Sequence, residues 1–258
     1  MPDFLVIGAQ RCGTSSLYMY LSRHPHVLPS LRKEIEYFST RYQEGEAWYR
    51  AHFPLEVRMA SGRHPSQTFE ATPDYLLHPE APGRAARLIP AARLILLVRD
   101  PVTRAYSHYQ HNRRLGQEPL SFEDALDQEE PRLASEAEKI RKDPSYQARP
   151  LRRYSYATRG RYAEQLERWL AHFEPEQVLI LGSNDLFGQT APAFDRIQRF
   201  LGLPAWQPPR FRNYSYLGRP DSPLPPLQDA LRRRLAREFA EPNQRFYDLV
   251  GKDFGWQT

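Results

Sequence analysis

The first sixteen residues constrain the fold of this chain more than any other stretch. Phe4 to Ile7 form a short, wholly apolar run that is typical of a buried strand. The run ends at Gly8, and apolar residues then recur at helical spacing, which predicts a helix from near Thr14. A strand, a glycine-rich turn and a helix N-terminus together point backbone N–H groups and the positive end of the helix dipole at one place. The stretch therefore predicts an anion-binding turn.

The spacing of this turn can be compared with the phosphate loop of nucleotide-binding proteins, G-x-x-x-x-G-K-[ST]. Gly8 and Gly13 occupy the two glycine positions, but Thr14 stands where that loop carries the lysine that reaches the β- and γ-phosphates. The positive charge sits inside the turn instead, at Arg11. The turn therefore favours a 5′-phosphate group over ATP with magnesium. A glycine-rich turn that binds no ligand is the alternative that these residues leave open.

A second pattern lies in the middle of the chain, where Leu94 to Val98 form another apolar run, as in a central parallel strand. Arg99 follows at its C-terminal end, where open α/β sheets bind ligands. Pro101 suits the first turn of a helix, and Ser107 lies about two helical turns further on. The arginine and the serine can thus converge on one phosphate. An arginine that only caps the sheet is the alternative.

Both patterns resemble motifs of the sulfotransferases that use 3′-phosphoadenosine 5′-phosphosulfate (PAPS), above all the heparan-sulfate-type group. Residues 8–15 are similar to their 5′-phosphosulfate loop, with arginine where lysine is usual, and residues 99–107 are similar to their 3′-phosphate site. Together the motifs imply a nucleotide that is phosphorylated at both ends and bound without a metal ion. The donor-binding residues that the resemblance implies are Arg11, Cys12, Gly13, Thr14, Ser15, Ser16, Arg99 and Ser107.

The resemblance also implies two catalytic residues. Residues 34–38 match a Glu-Ile-x-Phe-Phe-like segment whose first glutamate is the proposed general base of the family. Glu34 takes that position, and Arg11 would stabilise the charge that develops on the leaving phosphate. Without the resemblance, a salt-bridged surface glutamate is the more ordinary interpretation.

Weaker candidates come from the remaining family-like segments. Gly218 and Arg219 match part of a Lys-Gly-Arg loop that closes over the donor, with leucine in place of the lysine. Ala71 stands where the family carries a lysine near the acceptor, which argues against a polyanionic, sulfated sugar. Four residues could line the acceptor cleft, with turn, core or surface positions as the alternative: Asp74, Tyr75, His108 and His111.

Length and apolar content allow one domain over 1–258, since 40% of the 258 residues are hydrophobic. The two strand patterns and the resemblance imply an α/β fold, with a central, mostly parallel, P-loop-like sheet flanked by helices. Apolar stripes at 227–239 and 246–250 predict two helices near the end. The polar stretch 115–150 predicts short helices in a mobile flap, or else a solvated linker.

Charge and cysteine content bear on partners and location. The net charge is +5, and most basic residues are arginines, which suits phosphate and sulfate binding, although compositional bias explains a general excess equally well. Acidic residues are mixed through the chain, and no nucleic-acid-binding motif occurs. No apolar run reaches the length of about 18 residues that a membrane span needs. A single cysteine and a first strand at residue 4, which leaves no room for a signal peptide, predict a cytoplasmic location.

These observations predict a transferase that moves a sulfuryl group from PAPS to an acceptor hydroxyl or, as a lesser alternative, an amine. The acceptor could be a carbohydrate, a lipid or polyketide hydroxyl on a carrier protein, or a small phenol. Two other classes stay open: a P-loop kinase of small molecules, and a non-catalytic binder of sulfated or anionic ligands. The oligomeric state is not predicted.

Overall fold

The computed structural model describes residues 1–54, 67–214 and 226–256. Within them, one sheet is formed by β1 (Phe4–Gly8), β2 (Val27–Pro29), β3 (Gln67–Ala71), β4 (Arg93–Val98) and β5 (Val178–Gly182). The strand order is β2-β3-β1-β4-β5, and every neighbouring pair is parallel. The predicted central parallel sheet is therefore confirmed.

The position of β1 in the sheet explains its composition. It pairs with β3 on one side and with β4 on the other, so both of its faces and both of its edges are covered. All five of its residues are buried, and the Phe4 ring stacks on that of Phe69 at 4.9 Å. The end of this strand is thus held rigidly, and the glycine-rich turn that follows it starts from a fixed point.

Helices account for most of the remaining described residues, and in the first unit they flank the sheet as predicted. In chain order they are α1 (Thr14–Leu21), α2 (Gly45–Arg50), α3 (Ala81–Leu88), α4 (Pro101–Arg114), α5 (Phe122–Asp127), α6 (Glu129–Leu133), α7 (Glu136–Lys142), α8 (Arg149–Tyr154), α9 (Tyr162–Leu170), α10 (Ser183–Gly188), α11 (Thr190–Leu201) and α12 (Asp229–Val250). In the part of the chain that the structure describes, no helix combines the length and the apolar character needed to cross a bilayer.

The chain divides into two compact units. The first unit, Met1–Val98 with Trp169–Leu217, contains the whole sheet, with α1 against β1, β2 and β3 and with α11 against β5. The second unit, Arg99–Arg168 with Gly218–Thr258, is helical, and α12 packs on α4 in it. Its core is made of Val102, Ala105, Phe122, Ala125, Tyr156, Leu227, Leu235 and Phe239. One domain over the full length stays a prediction.

The polar stretch 115–150 forms short helices in the second unit, held by buried carboxylates. Glu118 forms an ion pair with Arg132 at 2.6 Å, although its own side chain is fully buried. Glu129 accepts hydrogen bonds of 2.7 Å from the backbone N–H groups of Ala157 and Thr158. The expected helices are present, and the movement of this stretch as a flap stays a prediction.

The C-terminal helix differs from the expectation of two separate helices. It runs without interruption from Asp229 to Val250 and contains Pro242. A proline in a helix interior costs about 3 kcal/mol or more. The buried residues Leu235, Phe239 and Phe246 lie on one face across this position, and packing of that face outweighs the local cost.

Candidate active site

The glycine-rich turn between β1 and α1 is anchored at the end of the sheet. The backbone N–H of Ala9 donates to the carbonyl of Leu97 in β4 at 2.7 Å, and the N–H of Cys12 donates to the carbonyl of Ala9 at 3.2 Å. Ser183 at the start of α10 donates its hydroxyl to the Cys12 carbonyl at 2.6 Å. The turn is therefore held by one internal hydrogen bond and by two contacts from other parts of the first unit.

Gly13 shapes the entry into α1. Its φ of +102° is a left-handed conformation that L side chains rarely adopt, and a Cβ at this position would lie 2.9 Å from the Phe187 ring. The first helical hydrogen bond runs from the N–H of Leu17 to the Gly13 carbonyl at 3.1 Å. The N–H groups of Gly13 to Ser16 precede it, so they form the anion-binding end of the helix.

The other predicted residues of the turn divide by environment. Arg11 is half-buried, has a left-handed φ of 70° and is the one charged residue between Gly8 and α1. Thr14 is buried and Ser15 is exposed. Ser16 is fully buried, and its hydroxyl accepts a hydrogen bond from the Tyr214 backbone at 2.9 Å. The Ser16 side chain thus supports the structure beside the turn, whereas its backbone belongs to the helix end.

Glu34 lies in a non-helical segment of the first unit with 31% of its side chain exposed. The Nζ atom of Lys33 lies 3.2 Å from its Oε1. Burial raises the pKa of the Glu34 carboxyl, the charges of Asp74 and Glu36 add to this rise, and Lys33 opposes it. A carboxylate with a raised pKa that still reaches solvent has the properties of a general base.

The segment that carries Glu34 is tied to the same strand end as the turn. Thr72 and Leu76, which follow β3, donate their N–H groups to the carbonyls of Val6 and Ile7 at 3.2 and 2.9 Å. The hydroxyl of Thr72 in turn accepts a hydrogen bond from the Glu36 backbone at 3.3 Å. The turn after β3 therefore connects the base segment to β1.

Glu70 in β3 is a polar residue of this region to which the sequence analysis assigned no role. It is fully buried, and its Oε1 accepts hydrogen bonds from the hydroxyls of Tyr49 and Tyr75 at 2.7 and 2.8 Å. Burial raises the pKa of Glu70 to about 7. The available signal was a glutamate between Phe69 and Ala71 in an otherwise buried strand, and such a residue requires partners.

The predicted acceptor residues Asp74 and Tyr75 are both buried. Asp74 is 8% exposed, whereas Tyr75 is fully buried and uses its hydroxyl on Glu70. Tyr75 has the core position that the sequence left as an alternative, because its polar atom is occupied inside the protein. Asp74 acts electrostatically on Glu34 and so belongs to the surroundings of the candidate base.

In the second unit, Arg99 lies just before α4, and Ser107 lies on the helix. The Nε of Arg99 donates to the hydroxyl of Thr103 at 3.1 Å, and Thr103 and Ser107 are one helical turn apart. The hydroxyl of Tyr162 donates to the Arg99 carbonyl at 2.8 Å, and Asp100 caps the helix through the Val102 N–H at 2.9 Å. Thr103 was missed by sequence reasoning, although it lies four residues from both Arg99 and Ser107 in the chain.

The remaining candidates are less well placed. His108 is fully buried, and its ring packs against that of Tyr156 at a centroid distance of 4.9 Å. His111, one turn further on, is half-buried. Gly218 and Arg219 lie outside the described residues. Their roles in donor or acceptor binding stay predictions.

Comparisons with known proteins place these features in a family context. The profile described as "Sulfotransferase domain" matches residues 1–211. The human "Bifunctional heparan sulfate N-deacetylase/N-sulfotransferase 3" is 35% identical over 213 residues, which are 79% of this chain and 22% of that protein. The human "Heparan sulfate glucosamine 3-O-sulfotransferase 6" is 31% identical over 283 residues, which cover 99% of this chain and 73% of that protein. The chain thus spans about a fifth of the length of the first relative.

A solved structure gives the same result for the fold. The crystal structure of a sulfotransferase from Alicyclobacillus acidocaldarius aligns with a TM-score of 0.73 and 28% sequence identity, and the match covers 100% of this chain and 99% of that one. The parallel sheet with flanking helices is therefore shared with a solved sulfotransferase, over nearly the full length of both chains.

Proposed function

Because this chain belongs to the sulfotransferase domain family, we propose that it transfers the sulfuryl group of PAPS to a hydroxyl group of an acceptor. The resemblance inferred from its two motifs is confirmed by the family match. One arrangement above all supports the reaction: the glycine-rich turn continues from the end of β1, and the segment carrying Glu34 is tied to that end through Thr72. A group bound at the turn would thus lie beside a candidate base.

The donor-binding residues are proposed from the geometry of each unit by itself. In the first unit, the N–H groups at the start of α1 suit the 5′-phosphosulfate, with Arg11 supplying charge. In the second unit, Arg99 and Ser107 suit the 3′-phosphate, with Thr103 orienting the guanidinium. N–H groups and arginines supply the positive field, so we propose no metal ion.

The chemical step follows from the properties of Glu34. The donor supplies an activated sulfuryl group. Glu34 accepts the proton of the acceptor hydroxyl, the acceptor oxygen forms a bond to sulfur, and the bond from sulfur to the bridging oxygen of the 5′-phosphate breaks. The bond electrons remain on the leaving phosphate, where Arg11 and the N–H groups stabilise them. The products are the sulfated acceptor, 3′-phosphoadenosine 5′-phosphate and a proton on Glu34.

The acceptor is proposed as a carbohydrate or small-molecule hydroxyl, with a polyketide-type hydroxyl on a carrier protein as a further form. The two human relatives carry heparan sulfate in their names. Ala71, which stands where the resemblance expects a lysine near the acceptor, is fully buried here. We therefore favour an acceptor with fewer negative charges than a sulfated glycan, and a cytoplasmic location remains part of the proposal.

The test is a calorimetric titration with 3′-phosphoadenosine 5′-phosphate and, separately, with ATP and magnesium. Arg99→Ala removes the candidate 3′-phosphate ligand, and Arg114→Ala, which changes an exposed arginine at the end of α4, is the control. We expect binding of the bisphosphate alone, lost in Arg99→Ala and kept in Arg114→Ala. A preference for ATP with magnesium would instead indicate a P-loop kinase of small molecules. Bisphosphate binding without sulfuryl transfer to any acceptor in a panel of sugars and phenols would indicate a non-catalytic binder.

A further inference from the structure

We infer that Glu70, Thr72 and Tyr75 form a hydrogen-bonded relay that positions the segment carrying Glu34, with Glu70 as the positioning residue. The inference rests on the proposed function, because it takes Glu34 as the base. All of these residues belong to the first unit. None of the three needs to touch the substrate for this role, which acts through backbone geometry.

The relay begins at a carboxylate that is buried in β3. Glu70 is fully buried, and both of its oxygens are occupied by hydroxyl groups. Oε1 accepts hydrogen bonds from Tyr75 at 2.8 Å and from Tyr49 at 2.7 Å, and Oε2 accepts one from Thr72 at 2.8 Å. Burial raises the pKa of Glu70 to about 7, so the carboxyl is ionised above that pH. In this form it can only accept hydrogen bonds, and it then fixes the direction in which each hydroxyl points its hydrogen.

Two of these hydroxyls continue to the base segment. The Tyr75 oxygen accepts a hydrogen bond from the Phe38 backbone N–H at 3.3 Å, and the Thr72 oxygen accepts one from the Glu36 N–H at 3.3 Å. A hydroxyl whose hydrogen is directed at Glu70 presents its lone pairs to these N–H groups. The segment is thus held at two points, two and four residues after Glu34.

The relay also connects the base segment to the phosphate-binding turn. Thr72 donates its own N–H to the Val6 carbonyl at 3.2 Å. Val6 lies two residues before Gly8, where the glycine-rich turn begins. Ring packing alone does not fix the position of the base segment, because a ring contact constrains position less tightly than a directed hydrogen bond. A general base must lie within hydrogen-bond reach of the proton it accepts, so small displacements of Glu34 lower the rate steeply.

Tyr49 provides an internal control. It is fully buried like Tyr75, and it donates to the same Oε1 of Glu70, but it comes from α2 and its hydroxyl has no hydrogen bond to the base segment among the contacts that the structure describes. Tyr49→Phe and Tyr75→Phe each remove one hydroxyl from Glu70. Only Tyr75→Phe also removes the acceptor of the Phe38 N–H.

The experiment compares the two phenylalanine variants in the full chain. We expect Tyr75→Phe to lower kcat between about tenfold and 10²-fold, with an unchanged KM for PAPS, because the base is displaced while donor binding is not. Tyr49→Phe should remain within about threefold of the wild type at a similar loss of stability. Hydrogen exchange of the peptide spanning residues 34–40 should accelerate in Tyr75→Phe only. Thr72→Val, which removes the other relay hydroxyl at similar shape, makes the same test where Tyr75→Phe does not fold.

A second comparison separates positioning from general damage. In a Glu34→Gln background the base is already gone, so adding Tyr75→Phe should have little further effect on kcat if the tyrosine acts through Glu34. Equal loss in both backgrounds, or equal kcat in Tyr49→Phe and Tyr75→Phe, would overturn the relay. Failure of the proposed function has a different signature: a wild type without sulfuryl transfer, or a Glu34→Gln variant with normal turnover.

Discussion

The ammonium of Lys33 lies 3.2 Å from Oε1 of Glu34, and the two side chains are neighbours in the chain as well as in space. Burial and the charges of Asp74 and Glu36 raise the pKa of Glu34, whereas Lys33 lowers it. The lysine thereby keeps a larger fraction of the candidate base ionised at neutral pH. It acts on the pKa without itself being required to contact the acceptor.

Removal of Lys33 should shift the pH profile. In Lys33→Met the pKa of Glu34 rises further, because the opposing charge is gone, so the acid limb of kcat/KM should move to higher pH. In the pH range of the acid limb, the activity of Lys33→Met is therefore lower than that of the wild type. On the plateau at higher pH, its activity is largely retained. Lys33→Arg keeps the charge and is the control. An acid limb at the same pH in Lys33→Met and wild type would contradict the assignment of Glu34 as the base.

Replacement of Arg11 should lower the rate more than it lowers stability. Its φ of 70° is a conformation that asparagine tolerates better than alanine, so Arg11→Asn removes the charge with little added strain. Loss of a group that stabilises developing charge costs about 10²–10³ in kcat. Arg11→Lys restores the charge that the family usually carries and should recover much of the rate. The measurement is kcat from steady-state kinetics with PAPS. A near-normal kcat in Arg11→Asn would contradict a catalytic role for Arg11.

Substitution of Gly13 should disrupt the turn through two effects that can be separated. Gly13→Ala combines a left-handed φ of +102° with a contact of 2.9 Å to the Phe187 ring. Gly251→Ala also has a left-handed backbone, with a φ of +63°, but nothing lies within 4 Å of the added carbon. Unfavourable backbone conformation costs about 1–3 kcal/mol in each variant. Denaturant unfolding should show a greater loss in Gly13→Ala, and titration with 3′-phosphoadenosine 5′-phosphate should show weakened binding in that variant alone.

The elements that sequence reasoning predicted are those with short-range causes. β1, the turn and α1 follow from an apolar run, two glycines and a helical repeat within residues 4–21, and β4 follows from a similar run. The buried carboxyl of Glu70 accepts hydrogen bonds from Tyr49 and Tyr75, which come from two other parts of the chain. No local pattern encodes that meeting, because it exists only when the sheet and its neighbouring segments have packed.

The same limit explains a difference in the helices. Apolar stripes at 227–239 and 246–250 predict two helices, yet α12 continues between them because Phe239 and Phe246 are buried on one face. Tyr75 has the core position that the sequence left as an alternative, since its hydroxyl donates to a carboxylate inside the protein. Both outcomes depend on tertiary packing, which local patterns do not contain.

The buried carboxyl of Glu70 should make stability depend on pH in a direction opposite to that of an ordinary ion-paired acid. Its pKa in the folded protein is raised from 4.5 to about 7, mainly by burial, so the folded state binds the proton more tightly than the unfolded state. Stability is therefore highest below the unfolded pKa and falls as the pH rises towards 7. The accumulated loss from this one group is about 3 kcal/mol.

Glu70→Gln removes this titration. The free energy of unfolding of the variant, minus that of the wild type, should rise by about 3 kcal/mol between pH 4.5 and pH 8. The reason is that only the wild type loses stability as a buried acid ionises. Denaturant unfolding of both proteins over this range measures the difference, in which groups common to both cancel. Glu34 also carries charge that raises the pKa of Glu70, so the pair is compared again in a Glu34→Gln background, where the rise should be smaller. A difference that stays constant with pH would mean that Glu70 titrates as it does in the unfolded chain, which would contradict a raised pKa for this buried carboxyl.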